Sequence, residues 1–236
     1  MWGYFEYVPV ARKKQDAAKA LKKLKKKRPD VQPVVITGNR VAKTWWGKAW
    51  NKNLESYADY DNRLDRGRAY LRNGFVLDLH IAPEKVTAIV AGSGRSPYNV
   101  EIAIKKLPKA KWDKITDICG RSIASIDQLV QGKFPAELDS LFTQRGDGLF
   151  PTPGEIGFSC DCPDWASMCK HVAAVLYGIG ARLDEDPLLF FTLRNIEIEA
   201  LIKKSIEEKM ENMLKNSENE TRRVIKDADI GELFGL

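Results

Sequence analysis

Three of the four cysteines and one of the two histidines lie within twelve residues of the chain. Cys160 and Cys162 form a Cys-x-Cys pair, and Cys169 and His171 follow after six residues as a Cys-x-His pair. Three thiolates and one imidazole are a complete ligand set for tetrahedral zinc. The pattern therefore predicts one bound Zn²⁺ ion, against the alternative that these are ordinary buried cysteines with a histidine nearby.

The chain around these residues must bring the two pairs to one point. Residues two apart in an extended segment point to the same side, so a short strand over 155–160 suits the Cys-x-Cys pair. On a helix, residues two apart are separated by about 200°, so Cys169 must precede or begin the helix that contains His171. The predicted unit is a strand, a knuckle over residues 163–168 and a helix. Because protein side chains fill all four positions, the zinc would be structural rather than catalytic.

The remaining residues that could do chemistry do not form a second site. Cys119 lies alone in a helical pattern and is predicted to be a core residue, and His80 has no second ligand or nucleophile beside it. The sequence contains no phosphate-binding loop, dinucleotide fingerprint, His-Glu-x-x-His or Gly-x-Ser-x-Gly motif. We therefore expect a protein that is not an enzyme and has no small-molecule substrate.

The elements that must position the cluster indicate an α+β fold. With 44% hydrophobic and 30% charged residues, the composition is typical of a globular protein rather than a disordered or fibrous one. Apolar residues alternate along three runs bounded by Gly and Pro, which predicts a small antiparallel β-sheet built as a meander. The apolar positions of these runs are Phe75, Leu77, Leu79 and Ile81; Val86, Ala88 and Val90; and Tyr98, Val100, Ile102 and Ile104.

Helical patterns surround the meander. Trp46, Trp50 and Leu54 form the apolar face of a helix predicted over 42–58, and with Trp45 these tryptophans are interpreted as core rather than as a base-stacking platform. Other helices are predicted over 112–119, 122–130, 136–142, 172–177 and 198–214. The chain is thus divided into a basic N-terminal arm over 1–33, flexible or partly helical; an α+β domain over 34–146; a zinc finger and following helix over 147–195; and a C-terminal helix and tail over 196–236.

Basic residues are concentrated in one segment. Residues 12–28 carry ten lysines and arginines against the single acid Asp16, whereas the net charge of the whole chain is only +6. A block of this kind can contact phosphates and release counterions, or it can be a solubilising tail. The residues predicted to contact nucleic acid are Lys13, Lys14, Lys22, Lys23, Lys25, Lys26, Lys27, Arg28, Arg63, Arg66, Arg68, Arg72 and Lys170.

The apolar stretches give no sign of a membrane protein or of export. The longest uncharged apolar stretch, 172–181, is about half of the roughly 20 residues that span a bilayer. The first residues have neither a basic region before their apolar part nor a small-residue cleavage site after it. We expect a cytoplasmic protein without a membrane partner.

The run from Cys160 to Ala174 resembles the SWIM zinc finger, whose pattern is Cys-x-Cys, a variable gap and Cys-x-His. Residues 45–50, 63–70 and 184–188 are similar to the flanking segments of prokaryotic SWIM finger proteins, which are often found beside Swi/Snf-family helicases. The resemblance covers roughly residues 35–195. It implies the four ligands named above, no catalytic residues, and a module for binding DNA or a protein partner.

Taken together, the charge pattern and the resemblance predict a non-catalytic zinc-finger protein. It would bind DNA mostly through phosphate contacts and dock a Swi/Snf-type helicase or a recombination-type protein partner. The alternative is a pure protein scaffold that uses the finger and the C-terminal helix, with the arm serving only for solubility.

Overall fold

The computed structural model describes residues 8–56, 61–94, 96–113, 142–144, 146, 148–166, 168–197 and eight positions between 199 and 214. Most of the residues in the helical patterns predicted over 112–119, 122–130 and 136–142 lie outside these ranges, as does Cys119. Among the described residues no helix combines the length and the apolar character needed to cross a membrane.

A four-stranded antiparallel sheet forms one layer of the fold. Its strands are adjacent in chain order: β1 (Val76–Ala82), β2 (Lys85–Val90), β3 (Tyr98–Ile104) and β4 (Ile156–Cys160). This confirms the α+β class, the predicted meander and the predicted strand that leads into the cysteine cluster. The register of β4 places Cys160 opposite Val100 of β3.

One part of the predicted strand pattern is wrong. We expected Phe75, Leu77 and Leu79 to share a face, but a β-bulge lies between Val76 and Asp78. Val76 and Leu79 consequently enter the main core, whereas Phe75 and Leu77 pack in a separate cluster on the other side. The extra residue of a bulge reverses the alternation of side chains, and alternation alone cannot reveal it.

Besides the sheet, the structure gives the bounds of five α-helices. They are α1 (Val10–Lys27), α2 (Trp45–Ser56), α3 (Asp61–Arg72), α4 (Lys170–Glu185) and α5 (Leu189–Leu193). Helix α4 packs against α2 and α3 and also against the sheet, and twelve of its sixteen residues are buried. A helix that is apolar on all sides belongs in a protein interior. Trp46 and Trp50 are buried beside α4, which confirms that they are core residues.

The N-terminus of α2 is held against α4 by hydrogen bonds. The Asp184 carboxylate of α4 accepts hydrogen bonds from the backbone N–H groups of Lys43 and Thr44 and from the Thr44 hydroxyl. These N–H groups lie at the start of α2, where a helix leaves its first donors without intrahelical partners. Asp184 therefore fixes where α2 begins against the central helix.

The basic segment is more ordered than the flexible or partly helical arm that the sequence suggested. It forms α1, and Ala17 is only 4% exposed because it packs against Phe75, Leu77 and Ala91. Ala20 and Leu21 pack against the same cluster. Of the residues that receive the helix, Leu77 lies at the bulge in β1 and Phe75 directly precedes the strand. As a result, α1 carries its cations on a surface that is anchored to the sheet.

Helices α3 and α4 approach so closely that a side chain at Gly67 is excluded. A Cβ there would lie 2.5 Å from Ala173 Cβ and 2.8 Å from the Ala174 backbone nitrogen. Gly67→Ala should destabilise the fold, because overpacking costs about 1–3 kcal/mol and outweighs the gain in helix propensity of at most about 1 kcal/mol. Urea unfolding measures the change.

The matched control is Gly154→Ala, since a Cβ at Gly154 meets no atom within 4 Å. It should leave the unfolding midpoint nearly unchanged. A Gly67→Ala variant as stable as the wild type would contradict the close contact between α3 and α4.

Candidate metal centre

The fold brings the two halves of the Cys/His motif to one point. Cys160 ends β4, Cys169 is the N-cap of α4, and His171 is the second residue of that helix. One ligand atom from each of Cys160, Cys162, Cys169 and His171 lies within 4.8 Å of the others. The imidazole Nδ1 is 3.9 Å from Cys160 Sγ and 3.8 Å from Cys169 Sγ. The four residues together could hold a metal ion.

Hydrogen bonds to the sheet and to α3 hold the knuckle between the two ligand pairs in place. Asp161 accepts hydrogen bonds from the backbone and the side-chain amide of Asn99 on β3, at 2.9 and 2.8 Å. Asp164 accepts one from Arg63 of α3 at 2.6 Å and another from the backbone N–H of Ala166 at 3.3 Å. The ion pair between Arg63 and Asp164 is largely shielded, with 18% and 14% of the side chains exposed. The knuckle is therefore attached to both the sheet and α3.

The orientation of the His171 ring is set by its neighbours. The ring is 1% exposed and lies between Tyr98 and Tyr70, at centroid distances of 4.6 and 5.4 Å. Its Nδ1 faces the sulfurs, while Nε2 is buried without a hydrogen-bond partner in the described part of the chain. Gly92 lies close by, and a Cβ there would overlap Tyr98 and lie 3.1 Å from Nε2. Nδ1 is thus the nitrogen available to a metal.

The three thiols differ in acidity. Hydrogen bonding from the Cys160 thiol, then from His171 and the Val172 backbone N–H, lowers the pKa of Cys169. The same hydrogen bond raises the pKa of Cys160, and burial raises the pKa of Cys162. Without metal, Cys169 is therefore the thiol of the three that most readily loses its proton.

The basic residues predicted to contact nucleic acid fall into two groups. Arg63 pairs with Asp164, Arg68 donates to Glu55 and to the Tyr177 hydroxyl at 2.7 and 2.9 Å, and Arg28 pairs with Asp78. The second group consists of predicted residues that are exposed or half-buried, so a ligand could reach them. These are Lys14, Lys22, Lys23, Lys25, Lys26, Lys27, Arg66 and Arg72, which are exposed, and Lys13 and Lys170, which are half-buried.

Sequence reasoning missed two features of the structure. Trp165 is 87% exposed on the knuckle, and its position in a polar turn between the ligand pairs was the available signal. Residues 92–94, 96 and 97, which we call the 92–97 loop, lie beside α1. The Gly and Pro residues of this loop were interpreted only as a boundary between strands.

Comparison with known proteins gives one informative match. The chain is 35% identical over 167 residues to the uncharacterised protein Rv2102 of Mycobacterium tuberculosis (strain ATCC 25618 / H37Rv), and the match includes 70% of this chain. The chain spans 60% of the length of that relative. No family model matches the chain, and no solved structure matches it significantly.

Replacing one ligand should abolish metal binding. Cys169→Ser removes the most acidic of the three thiols, so we expect metal content to fall from one ion per chain to well below one, with a lower melting temperature. Elemental analysis and thermal unfolding of the same preparation measure both effects. Cys119→Ser makes the same chemical change at a cysteine that is not one of the four proposed ligands and should keep the metal; equal metal content in the two variants would contradict the site.

Metal binding should release protons, because the ligands must be deprotonated. Since Cys160 and Cys162 have raised pKa values and Cys169 has a lowered one, we expect about two protons per ion at pH 7. Affinity should fall as the pH decreases and protons compete for the sulfurs. Titration in weakly buffered solution with a pH indicator counts the protons, and release of none would show that thiols are not the ligands.

Proposed function

We propose that this protein is a SWIM-type zinc-finger module that binds DNA without catalysing a reaction on it. In this proposal it also docks a Swi/Snf-type helicase or another protein of DNA metabolism, and it works in the cytoplasm in contact with the nucleoid. The observation that carries the proposal is the convergence of three cysteines and one histidine at one point, in a fold whose α1 and α3 carry exposed cations.

Zinc is the metal that best suits this ligand set. Bonds of about 2.0–2.3 Å in a tetrahedron place neighbouring ligand atoms about 3.5–3.8 Å apart. The two nitrogen-to-sulfur distances, 3.9 and 3.8 Å, are close to that spacing. With four protein ligands the ion would have a structural role, because it would hold the knuckle against the start of α4.

The distribution of charge supports DNA as the partner. Helix α1 carries most of the basic residues and is anchored by Ala17, so its cations are held in a fixed arrangement. Arg66 and Arg72 on α3 are exposed, and Lys170 lies beside the metal cluster with its Nζ 5.8 Å from the Tyr70 ring centroid. Lysine and arginine side chains of this kind contact phosphates, so DNA binding should depend on salt and show little sequence preference.

A protein scaffold without DNA binding is the second candidate, because several large apolar side chains are exposed. Trp165 stands on the knuckle, and isolated exposed aromatic residues often anchor protein interfaces. The described positions between 199 and 214 are helical, and Ile206, Met210, Met213 and Leu214 are 52–65% exposed there. Their helical spacing would suit a partner groove.

A DNA titration separates the two candidates. We expect the metal-loaded protein to bind fluorescent single-stranded and duplex oligonucleotides of two unrelated sequences with similar affinity, and to bind more weakly at about 200 mM than at about 50 mM salt. Fluorescence anisotropy measures binding, and metal content is determined on the same preparation. Protein with one metal ion per chain that fails to bind at low salt would reject DNA binding in favour of the scaffold.

A further inference from the structure

A groove of about 850 Å³ lies between α1 and the 92–97 loop. The volume is in the range of ligand-binding clefts, about 300–1,000 Å³. One wall is a single side of α1, and the other wall consists of Gly92, Ser93, Gly94, Ser96 and Pro97. We call it the α1 groove. It is separate from the metal cluster, none of whose four residues lines it.

The helix wall of the groove is strongly positive along its length. Asp16 is the single acid among its described lining residues. Six basic residues face it from α1: Arg12, Lys13, Lys19, Lys23, Lys26 and Lys27. From Arg12 to Lys27 the helix rises about 22 Å, so the cations form a row rather than a cluster at one point. A row of charges in a concave site attracts a linear polyanion more strongly than a single small anion.

The opposite wall allows close approach of a backbone. Its glycines have no side chains, and its serines offer hydroxyl donors. The loop rests on Tyr98: a Cβ at Gly94 would lie 2.7 Å from the Tyr98 hydroxyl, and one at Gly92 would overlap the ring. Because Tyr98 packs on His171, this wall is held in place by the residues around the metal cluster.

We propose that the α1 groove holds the sugar–phosphate backbone of a single nucleic-acid strand. This assignment rests on the proposed function and names the surface that performs it. No described aromatic residue lines the groove, so it would follow phosphates without stacking on bases. A membrane surface is disfavoured because the apolar side of α1, including Ala17 and Leu21, packs on the protein and is not available for insertion.

Two pairs of lysines, each spaced four residues apart on a helix, provide a matched test. Lys19 and Lys23 of α1 line the groove, whereas Lys48 and Lys52 of α2 do not, and all four are exposed. The variants K19Q/K23Q and K48Q/K52Q therefore remove the same charge from a helix surface. The probe is a fluorescent oligo-dT strand, titrated with full-length, metal-loaded protein at several salt concentrations. Circular dichroism and metal content verify that each variant is folded.

We expect K19Q/K23Q to bind severalfold more weakly, with the slope of log K against log salt smaller in magnitude by about 1.4. K48Q/K52Q should retain the wild-type slope. Equal losses in both variants would show diffuse attraction to the whole protein surface, which overturns the groove but leaves DNA binding intact.

Two further results distinguish a failure of the groove assignment from a failure of the proposed function. If wild-type protein binds the strand and neither variant loses affinity, the contacts lie elsewhere and the groove assignment is wrong. If metal-loaded wild-type protein binds no strand even at low salt, both DNA binding and this assignment are overturned.

Discussion

Helix α4 packs against the sheet and against α2 and α3, and the burial of nearly all its sides organises the other elements around it. Gly67 allows α3 to approach Ala173, and Asp184 caps α2 from the far end of α4. The N-terminus of the same helix carries Cys169 and His171. Packing of apolar surface thus places half of the metal cluster, and the register of β4 against β3 places Cys160.

The metal cluster and the basic surface are connected through one aromatic contact. His171 packs against Tyr98, and Tyr98 supports the loop that forms one wall of the α1 groove. The other wall depends on the cluster of Phe75, Leu77 and Ala91 that receives α1. A bound metal would therefore stabilise a wall of the groove as well as the knuckle, because binding to the folded state favours every contact that accompanies it.

Two features of the chain show why local sequence patterns did not predict every packing contact. The alternation along 75–81 suggested one face, but the bulge turned Phe75 and Leu77 towards α1. The basic segment has few large apolar residues, which suggested an arm with little to bury. Small side chains such as Ala17 can still pack closely when a second surface is present, and that surface comes from a distant part of the sequence.

Short-range patterns were enough to predict the Cys/His cluster, the strand that leads into it, the meander and the helix that begins at the Cys-x-His pair. These follow from spacing along the chain and from the periods of helices and strands, which are local properties. Long-range packing, in contrast, sets which cations are engaged in ion pairs, which nitrogen of His171 faces the sulfurs, and where the α1 groove forms. Arg63 and Asp164 are 101 residues apart, and the end of α1 at Lys27 is at least 65 residues from the 92–97 loop. Such contacts arise when buried surfaces find their partners, and spacing along the chain does not encode them.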